Sequence, residues 1–222
     1  MKPTFRWVVV GDMVRSRRVR SHPDLRARID RALARANKAY PSAVWAPLRL
    51  IKGIDEFVGV LESPEPVFEI LTLLNLGIHP LRFRLAAAYG EVRALSRDRD
   101  AGKMDGSAFF LASEALERAR RERMPLALDP AEKDPARLLA DAVEAAAALD
   151  SAICEGWPAA VREVAGLMSG FSETAPTQHE IGLRTHRSQQ AVSSAVVRGR
   201  FRDLERARAA IRKMLAELQR RV

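Results

Sequence analysis

The stretch LRLIKGIDEFVGVLE, residues 48–62, predicts a β-hairpin. Apolar residues stand on both sides of a bend at Lys52 and Gly53, which is the usual pattern of two short strands around a tight turn. The bend is followed by an acidic pair, Asp55 and Glu56. Carboxylates delivered from neighbouring strands suit Mg²⁺, which takes oxygen ligands and commonly sits between carboxylates and a phosphate.

The segments around this hairpin alternate between strand and helix patterns. Strands show as short β-branched or alternating apolar runs, and helices as apolar residues spaced by three or four. The resulting order is βαββαβ followed by αβ, which predicts an α+β fold with a ferredoxin-like sheet domain. The flanking elements are a strand at 5–11 ending at Asp12, a helix at 24–39, a helix at 64–77, a strand at 81–92, a helix at 107–123 and a strand at 124–128.

The remainder of the chain is predicted to be helical. The Ala-rich segment 135–149 has few large side chains, so we interpret it as a connector helix rather than as the centre of a core. This divides the chain into a sheet domain at 1–130, a connector at 131–150 and an all-α domain at 151–222.

Composition limits the class of protein. A chain of 222 residues with 47% hydrophobic and 29% charged residues can form one large domain or two small ones with real cores. It contains no apolar run long enough for a membrane span and no signal-peptide pattern, so we expect a cytoplasmic protein without a membrane partner. The single cysteine, Cys154, excludes an intramolecular disulfide and fits a reducing compartment.

Positive charge is concentrated at the C-terminal end. The net charge is +9, and residues 184–222 contain eleven Lys or Arg against three acids, a balance of +8. Such asymmetry favours an anionic partner, most often nucleic acid, although a solvated arginine-rich helix face has the same composition.

A two-helix motif lies within this basic region. TQHEI, residues 177–181, has the pattern of a capping box, and Ser188 is a second N-cap candidate. Together with SQQAVS, residues 188–193, the segment resembles the helix-turn-helix of bacterial regulators. In such motifs the second helix enters the major groove of DNA. The residues expected to face DNA are Arg187, Ser188, Gln189, Gln190 and Ser193.

The same motif predicts a core of Ile181, Leu183, Val192 and Val196. Packing within the protein is the alternative role for the two helices. The final helix has an apolar stripe from Leu204 to Leu218. That stripe fits three arrangements: pairing with the connector, packing on its own domain, or a homodimer that spaces two recognition helices along DNA.

Four motifs in the first 128 residues resemble those of the SatD family. They are GDMVRSR at 11–17, IDEFVGVL at 54–61, the segment 84–91, and DGSAF at 105–109. The first two are also similar to the metal-binding elements of the palm fold in class III nucleotidyl cyclases and GGDEF diguanylate cyclases.

This resemblance implies a Mg²⁺ and nucleotide site. Asp12 and Asp55 would hold the metal, with Glu56 as a third ligand or general base. The backbone amides of Met13 and Val14 would cradle the phosphates of a nucleoside triphosphate, and charge would come from Arg15, Arg17 or Arg18. The alternative is that Asp12 caps the connection after the strand and Asp55 forms a turn, as aspartate often does.

Departures from the family pattern bear on function. Ile54 stands where the family has Gly before the hairpin acid, Val58 replaces a Gln, and residues 86–88 are alanines where glycines are expected. Retained acids with altered surroundings favour a ligand sensor. The leading hypothesis is therefore a DNA-binding regulator with a Mg²⁺- and nucleotide-sensing domain. The alternatives are a nucleotidyl transferase or cyclase, and a non-catalytic protein-interaction scaffold.

Overall fold

In the computed structural model, residues 4–14, 24–53, 55–94, 99–131, 134–168 and 176–222 are described. Within them, six strands form one sheet: β1 Thr4–Met13, β2 Val44–Lys52, β3 Glu56–Leu61, β4 Phe83–Ala94, β5 Met104–Asp105 and β6 Leu126–Asp129. The α-helices are α1 Leu25–Ala39, α2 Val67–Ile78, α3 Ser107–Glu122, α4 Ala136–Glu155, α5 Ala159–Met168, α6 Gln178–Thr185, α7 Gln189–Arg198 and α8 Phe201–Gln219.

The sheet confirms the predicted α+β topology. Its first four strands lie in the order β2-β3-β1-β4, and each neighbouring pair is antiparallel. This is the arrangement that a βαββαβ sequence forms when each helix crosses over the sheet and the hairpin supplies the inner strand. β6 extends the sheet by pairing parallel with Leu85–Ala88 of β4, and the short β5 pairs with the end of β4. The sequence did not predict β5.

Side chains of the central strand β1 alternate between two cores. Trp7 and Val9 pack with the apolar stripes of α1 and α2, and Val8 packs with α3 on the other face. Both faces of β1 are covered, and a strand buried on both faces has consecutive β-branched residues rather than an alternating pattern. Gly11 has no room for a side chain because a Cβ there would lie 2.2 Å from the ring of Phe57.

The predicted helical stripes are largely confirmed. Those of α1 and α2 are buried, and in α3 the small residue Ala112 lies against the sheet. Phe110 is one of the apolar residues of α3, but its side chain is 69% exposed. Alanines 86–88 of β4 are fully buried, so this part of the sheet is packed.

The segment predicted to be a connector belongs to the main core. Ala140, Val143 and Ala147 of α4 are fully buried and pack with Ile211 and Leu215 of α8 in the same cluster as the sheet residues. The apolar stripe of α8 is therefore covered by this chain. Leu204, in the first turn of α8, packs instead with α5, α6 and α7.

The helices α5, α6 and α7 form a small core of their own. It contains Trp157, Val161, Ile181 and Val192, all nearly or fully buried. Leu183 was predicted to be a core residue, and this was wrong because its side chain is 65% exposed. In the part of the chain that the structure describes, no helix is long and apolar enough to span a bilayer.

Candidate functional site

Three charged residues form a row across the ends of three neighbouring strands. In the sheet register Asp12 of β1 is the direct partner of Glu56 in β3 and of Arg84 in β4. Cross-strand partners point to the same face of a sheet, and this is the face that α3 covers. Arg120 of α3 reaches this row from above.

Arginines hold the Asp12 carboxylate. Nε of Arg120 donates to Asp12 Oδ2 at 3.0 Å, and Nη1 of Arg84 lies 3.5 Å from both carboxylate oxygens. Nη2 of Arg120 lies 3.6 Å from Glu56, and the same guanidinium also contacts Glu117. Burial alone would lower the pKa of Arg120, but the charges of Asp12 and Glu117 outweigh it and raise the pKa. Arg120 therefore links three carboxylates.

The other residues of the predicted site have different surroundings. Asp55 lies in the turn before β3, where its carbonyl accepts a hydrogen bond from the Met13 amide at 2.8 Å. The Val14 amide donates to the carbonyl of Arg82 at 2.8 Å. A phosphate would have to replace these carbonyls to reach either amide. Arg15, Arg17, Arg18 and Ile54 lie outside the described residues.

These contacts are a poor fit to Mg²⁺. The ion needs several oxygen ligands with free lone pairs. Asp12 is instead shared by two guanidiniums, and its acidic partner in the sheet register is Glu56 rather than Asp55. Among the described residues no group of three or more His, Cys, Asp or Glu is placed to hold a metal. The metal site at Asp12 and Asp55 stays a prediction of the sequence.

A cavity of about 770 Å³ opens beside Asp12 at this end of the sheet. Its walls come from the end of β1, the start of β4, and residues of α2, α3, α4 and α5. Five arginines and three carboxylates line it, together with an apolar wall that includes Leu71, Phe83 and Met124. The cavity therefore lies between the sheet and the C-terminal helices, and its lining has an excess of positive charge.

A buried ion pair borders this cavity at Asp150. Asp150 of α4 is 4% exposed and accepts hydrogen bonds from Arg208 of α8 at 2.8 and 3.0 Å. Cys154 lies beside this pair, and burial together with the charge of Asp150 raises the pKa of its thiol to about 12. Cys154 is therefore protonated at neutral pH and is not a nucleophile.

The predicted DNA-contacting residues lie together at the start of α7. Ser188 is the N-cap and accepts a hydrogen bond from the Ala191 amide at 3.2 Å. The side chains of Gln189 and Gln190 are exposed, and Ser193 is half-buried one turn further on. Arg187 is exposed and paired with Glu163 of α5, with Nη2 at 2.9 Å from the carboxylate.

The turn between α6 and α7 depends on residues 182 and 186. The capping box at Thr177 and Glu180 is present. His186 takes the left-handed conformation, φ 52°, and its amide donates to the carbonyl of Gly182. A Cβ at Gly182 would lie 2.8 Å from the carbonyl oxygen of Arg187, so the turn requires the glycine at this position.

Sequence reasoning missed the two arginines that hold Asp12. Arg84 had a usable signal, because it stands near the start of a strand antiparallel to β1 and strand register places it beside Asp12. Arg120 had none, since its position depends on how α3 docks on the sheet. The cavity was also missed because its walls come from six separate elements.

Topology and site together define an α+β protein with a palm-like sheet domain and a helical C-terminal region. The model of the SatD family matches residues 7–152. The chain belongs to the SatD family. No curated protein matches the chain.

One solved structure with a detectable match is a bacterial light-regulated adenylyl cyclase. It shares 14% sequence identity over 58% of this chain and 77% of that chain, with a TM-score of 0.39. A similarity at this level supports no inference about the activity of the present protein.

Proposed function

We propose that this protein is a DNA-binding regulator in which α6 and α7 form a helix-turn-helix and the sheet domain binds a small anionic ligand. The observation that carries the DNA-binding half is the open N-terminal turn of α7. Exposed Ser188, Gln189 and Gln190 stand there on a unit whose own core is closed by Ile181 and Val192. Gln side chains can make paired hydrogen bonds to adenine in the major groove.

Charge around the two helices supports this proposal. Arg184 at the end of α6, Arg198 at the end of α7 and Arg202 in α8 form no ion pair with any described residue. Unpaired arginines release counterions when they meet phosphates, and this supplies the sequence-independent part of DNA affinity. Several other arginines of the C-terminal region are instead paired with acids of this chain. The net charge of the region therefore overstates the positive charge available to DNA.

The rival functions have less support. A nucleotidyl transferase or cyclase would need Mg²⁺ at Asp12, where Arg84 and Arg120 now satisfy the carboxylate. These arginines suit the phosphates of a nucleoside triphosphate better than they suit Mg²⁺. A protein-interaction scaffold would leave the polar turn at Gln189 and Gln190 without a role.

Binding of the full-length chain to duplex DNA tests the proposal. We expect binding to random-sequence duplexes of about 20 bp at low salt, with an affinity that falls steeply as salt rises. Selection from that pool should enrich a preferred sequence. The substitutions Gln189→Ala and Gln190→Ala should each cost about 1 to 3 kcal/mol on the selected duplex. They should leave binding to the random pool unchanged, because neither changes the charge.

A charge-matched pair controls for the basic composition of the chain. Arg184→Ala should weaken binding to every duplex and reduce the salt dependence by about one counterion. Arg31→Ala removes the same charge from an exposed position of α1 and should have little effect. Equal effects of the two substitutions, or no salt-dependent binding to any duplex, would contradict the DNA-binding function.

A further inference from the structure

The cavity beside Asp12 joins the two parts of the molecule. One wall is the sheet domain, with Arg84 of β4 and residues at the end of α3. The opposite wall is the C-terminal end of α4 and Arg162 of α5. Arg82, just before β4, forms an ion pair with Glu155 of α4 across this space. Whatever occupies the cavity therefore contacts both the sheet and the helices that lead to α6 and α7.

Two guanidiniums on this cavity have hydrogen-bonding capacity to spare. Arg84 is 14% exposed, and its Nε is fixed by the carbonyl of Met124 at 3.2 Å, while its Nη2 makes no hydrogen bond with the described residues. Arg123, the residue before Met124, is exposed and forms no ion pair within the described part of the chain. Arg84 bonds to the carbonyl of Met124 and Arg123 precedes Met124 in the chain, so both arginines belong to the same part of the cavity lining.

The second end of the cavity is also positive. Arg162 lines it with its Nη1 fixed by the carbonyl of Trp157. His79 stands near Arg162, and partial burial followed by the charges of Arg162 and Arg28 lowers the pKa of its imidazole below the usual range. The charges of these arginines thus add to the effect of burial on His79, and an anion bound beside them would act in the opposite direction.

We propose that this cavity is a binding site for a small organic phosphate, with Arg84 and Arg123 as the residues that hold the phosphate. Guanidinium groups match phosphate oxygens in geometry and charge. The organic part would lie against Leu76 and Met124, which are apolar residues of the lining that are partly exposed. A volume of about 770 Å³ lies within the range of small-molecule sites.

This inference gives the ligand-binding half of the proposed function a location, and its consequence for DNA rests on that function. Asp150 in the cavity wall is bonded to Arg208 of α8, and α8 packs with both α4 and α7. A ligand that binds across the cavity would change how firmly the C-terminal helices are held to the sheet. Phosphate binding itself is measured without DNA, so either proposal can fail alone.

Calorimetric titration of the full-length protein with three probes tests the site. The probes are AMP, inorganic phosphate and adenosine, which lacks the phosphate of AMP. We expect AMP to bind, phosphate to compete with it, and adenosine to bind at least about tenfold more weakly, because charge-assisted hydrogen bonds are lost. No binding of either AMP or phosphate up to about 10 mM would overturn the proposal. So would equal affinities for AMP and adenosine.

Two neighbouring arginines provide a matched control. Arg123→Gln removes a guanidinium from the cavity wall and should weaken AMP about tenfold. Arg121→Gln removes the same charge two residues earlier, at an exposed position that does not line the cavity, and should change AMP affinity less than about twofold. Thermal unfolding of both variants verifies that they fold. An unchanged affinity in Arg123→Gln, or the same loss in both variants, would assign the binding elsewhere.

Discussion

At the residue scale, the role of an acidic residue such as Asp12 depends on the groups that its carboxylate contacts. Asp12 stands where the family resemblance implies a metal ligand, yet Arg84 and Arg120 share its carboxylate. An aspartate between two guanidiniums positions positive groups, whereas a metal ligand needs free lone pairs. On this face of the sheet Ala86 and Ala88 pack against small residues of α3, the helix that carries Arg120 to Asp12.

A single methyl group should be enough to disturb the turn between α6 and α7. Gly182→Ala places a Cβ 2.8 Å from a backbone carbonyl oxygen, and backbone cannot move aside as a side chain can. We expect a loss of about 1 to 3 kcal/mol in the free energy of unfolding, measured by urea denaturation.

The control is Gly166→Ala in the neighbouring helix α5. A Cβ at Gly166 would meet no atom within 4 Å, and alanine is the better helix former by about 0.5 to 1 kcal/mol. This variant should be as stable as the natural protein or more stable. Equal behaviour of the two glycine variants would show that the turn differs from the one described.

At the element scale, α4 is attached to the sheet by a buried carboxylate. Glu144 accepts hydrogen bonds from Arg118 of α3 at 2.7 and 2.8 Å, from Arg137 at 2.8 Å and from the Leu128 amide of β6 at 2.7 Å. Three elements meet at this side chain. An alanine-rich helix with small core residues is in this way fixed to one edge of the sheet.

Loss of the Glu144 charge should weaken the attachment of α4 to the sheet. Glu144→Gln leaves the partly buried Arg118 without its bonded carboxylate and removes one of the two carboxylates bonded to Arg137. We expect a loss of about 3 kcal/mol in the free energy of unfolding. Asp141→Asn is the matched control, because Asp141 is 58% exposed and pairs with the same Arg137. Its loss should be below about 1 kcal/mol. Similar losses in both variants would contradict a buried role for Glu144.

The same group predicts how stability depends on pH. Burial alone would raise the pKa of Glu144, but hydrogen bonds from Arg118, Leu128 and Arg137 outweigh it and hold the pKa below 4.5. A carboxyl with a lowered folded pKa contributes stability above its unfolded pKa and loses it as pH falls through the folded value. The difference in unfolding free energy between the natural protein and Glu144→Gln should therefore shrink below about pH 4.5.

At the scale of the whole molecule, α8 ties two cores together. Its first buried residue, Leu204, belongs to the core of α5, α6 and α7, while Ile211, Leu215 and Leu218 belong to the main core of the sheet domain. Near its end, Gln219 accepts a hydrogen bond from Trp7 of β1 at 2.7 Å. The core of the C-terminal helices and the core of the sheet domain therefore share one helix, and we expect a substitution in that helix to change the stability of both.

Removal of a buried side chain from α8 should consequently lower the stability of the sheet domain. Leu215→Ala removes a fully buried side chain, and we expect a loss of about 2 to 5 kcal/mol. The loss should appear in the transition followed by the fluorescence of Trp7, which is buried in the same cluster. Trp45→Phe and Trp157→Phe in the background remove the two other tryptophans, so that the signal comes from Trp7 alone. Leu183→Ala at a 65% exposed position of α6 should change stability by less than about 0.5 kcal/mol. An unaffected sheet transition in Leu215→Ala would mean that the helices unfold independently.

By itself, the sequence determined the βαββαβ order, the stripes of α1 and α2, the capping box at Thr177 and the family, because periodicity, capping and short motifs are local properties of the chain. Only the tertiary structure decided the partners of Asp12, the burial of α4, the exposure of Phe110 and Leu183, and the cavity. Each depends on how elements distant in sequence pack against one another. Helix periodicity identifies an apolar stripe but does not show which of its residues will be covered by a neighbouring element. No local pattern predicts that Arg120 of α3 contacts Asp12 of β1.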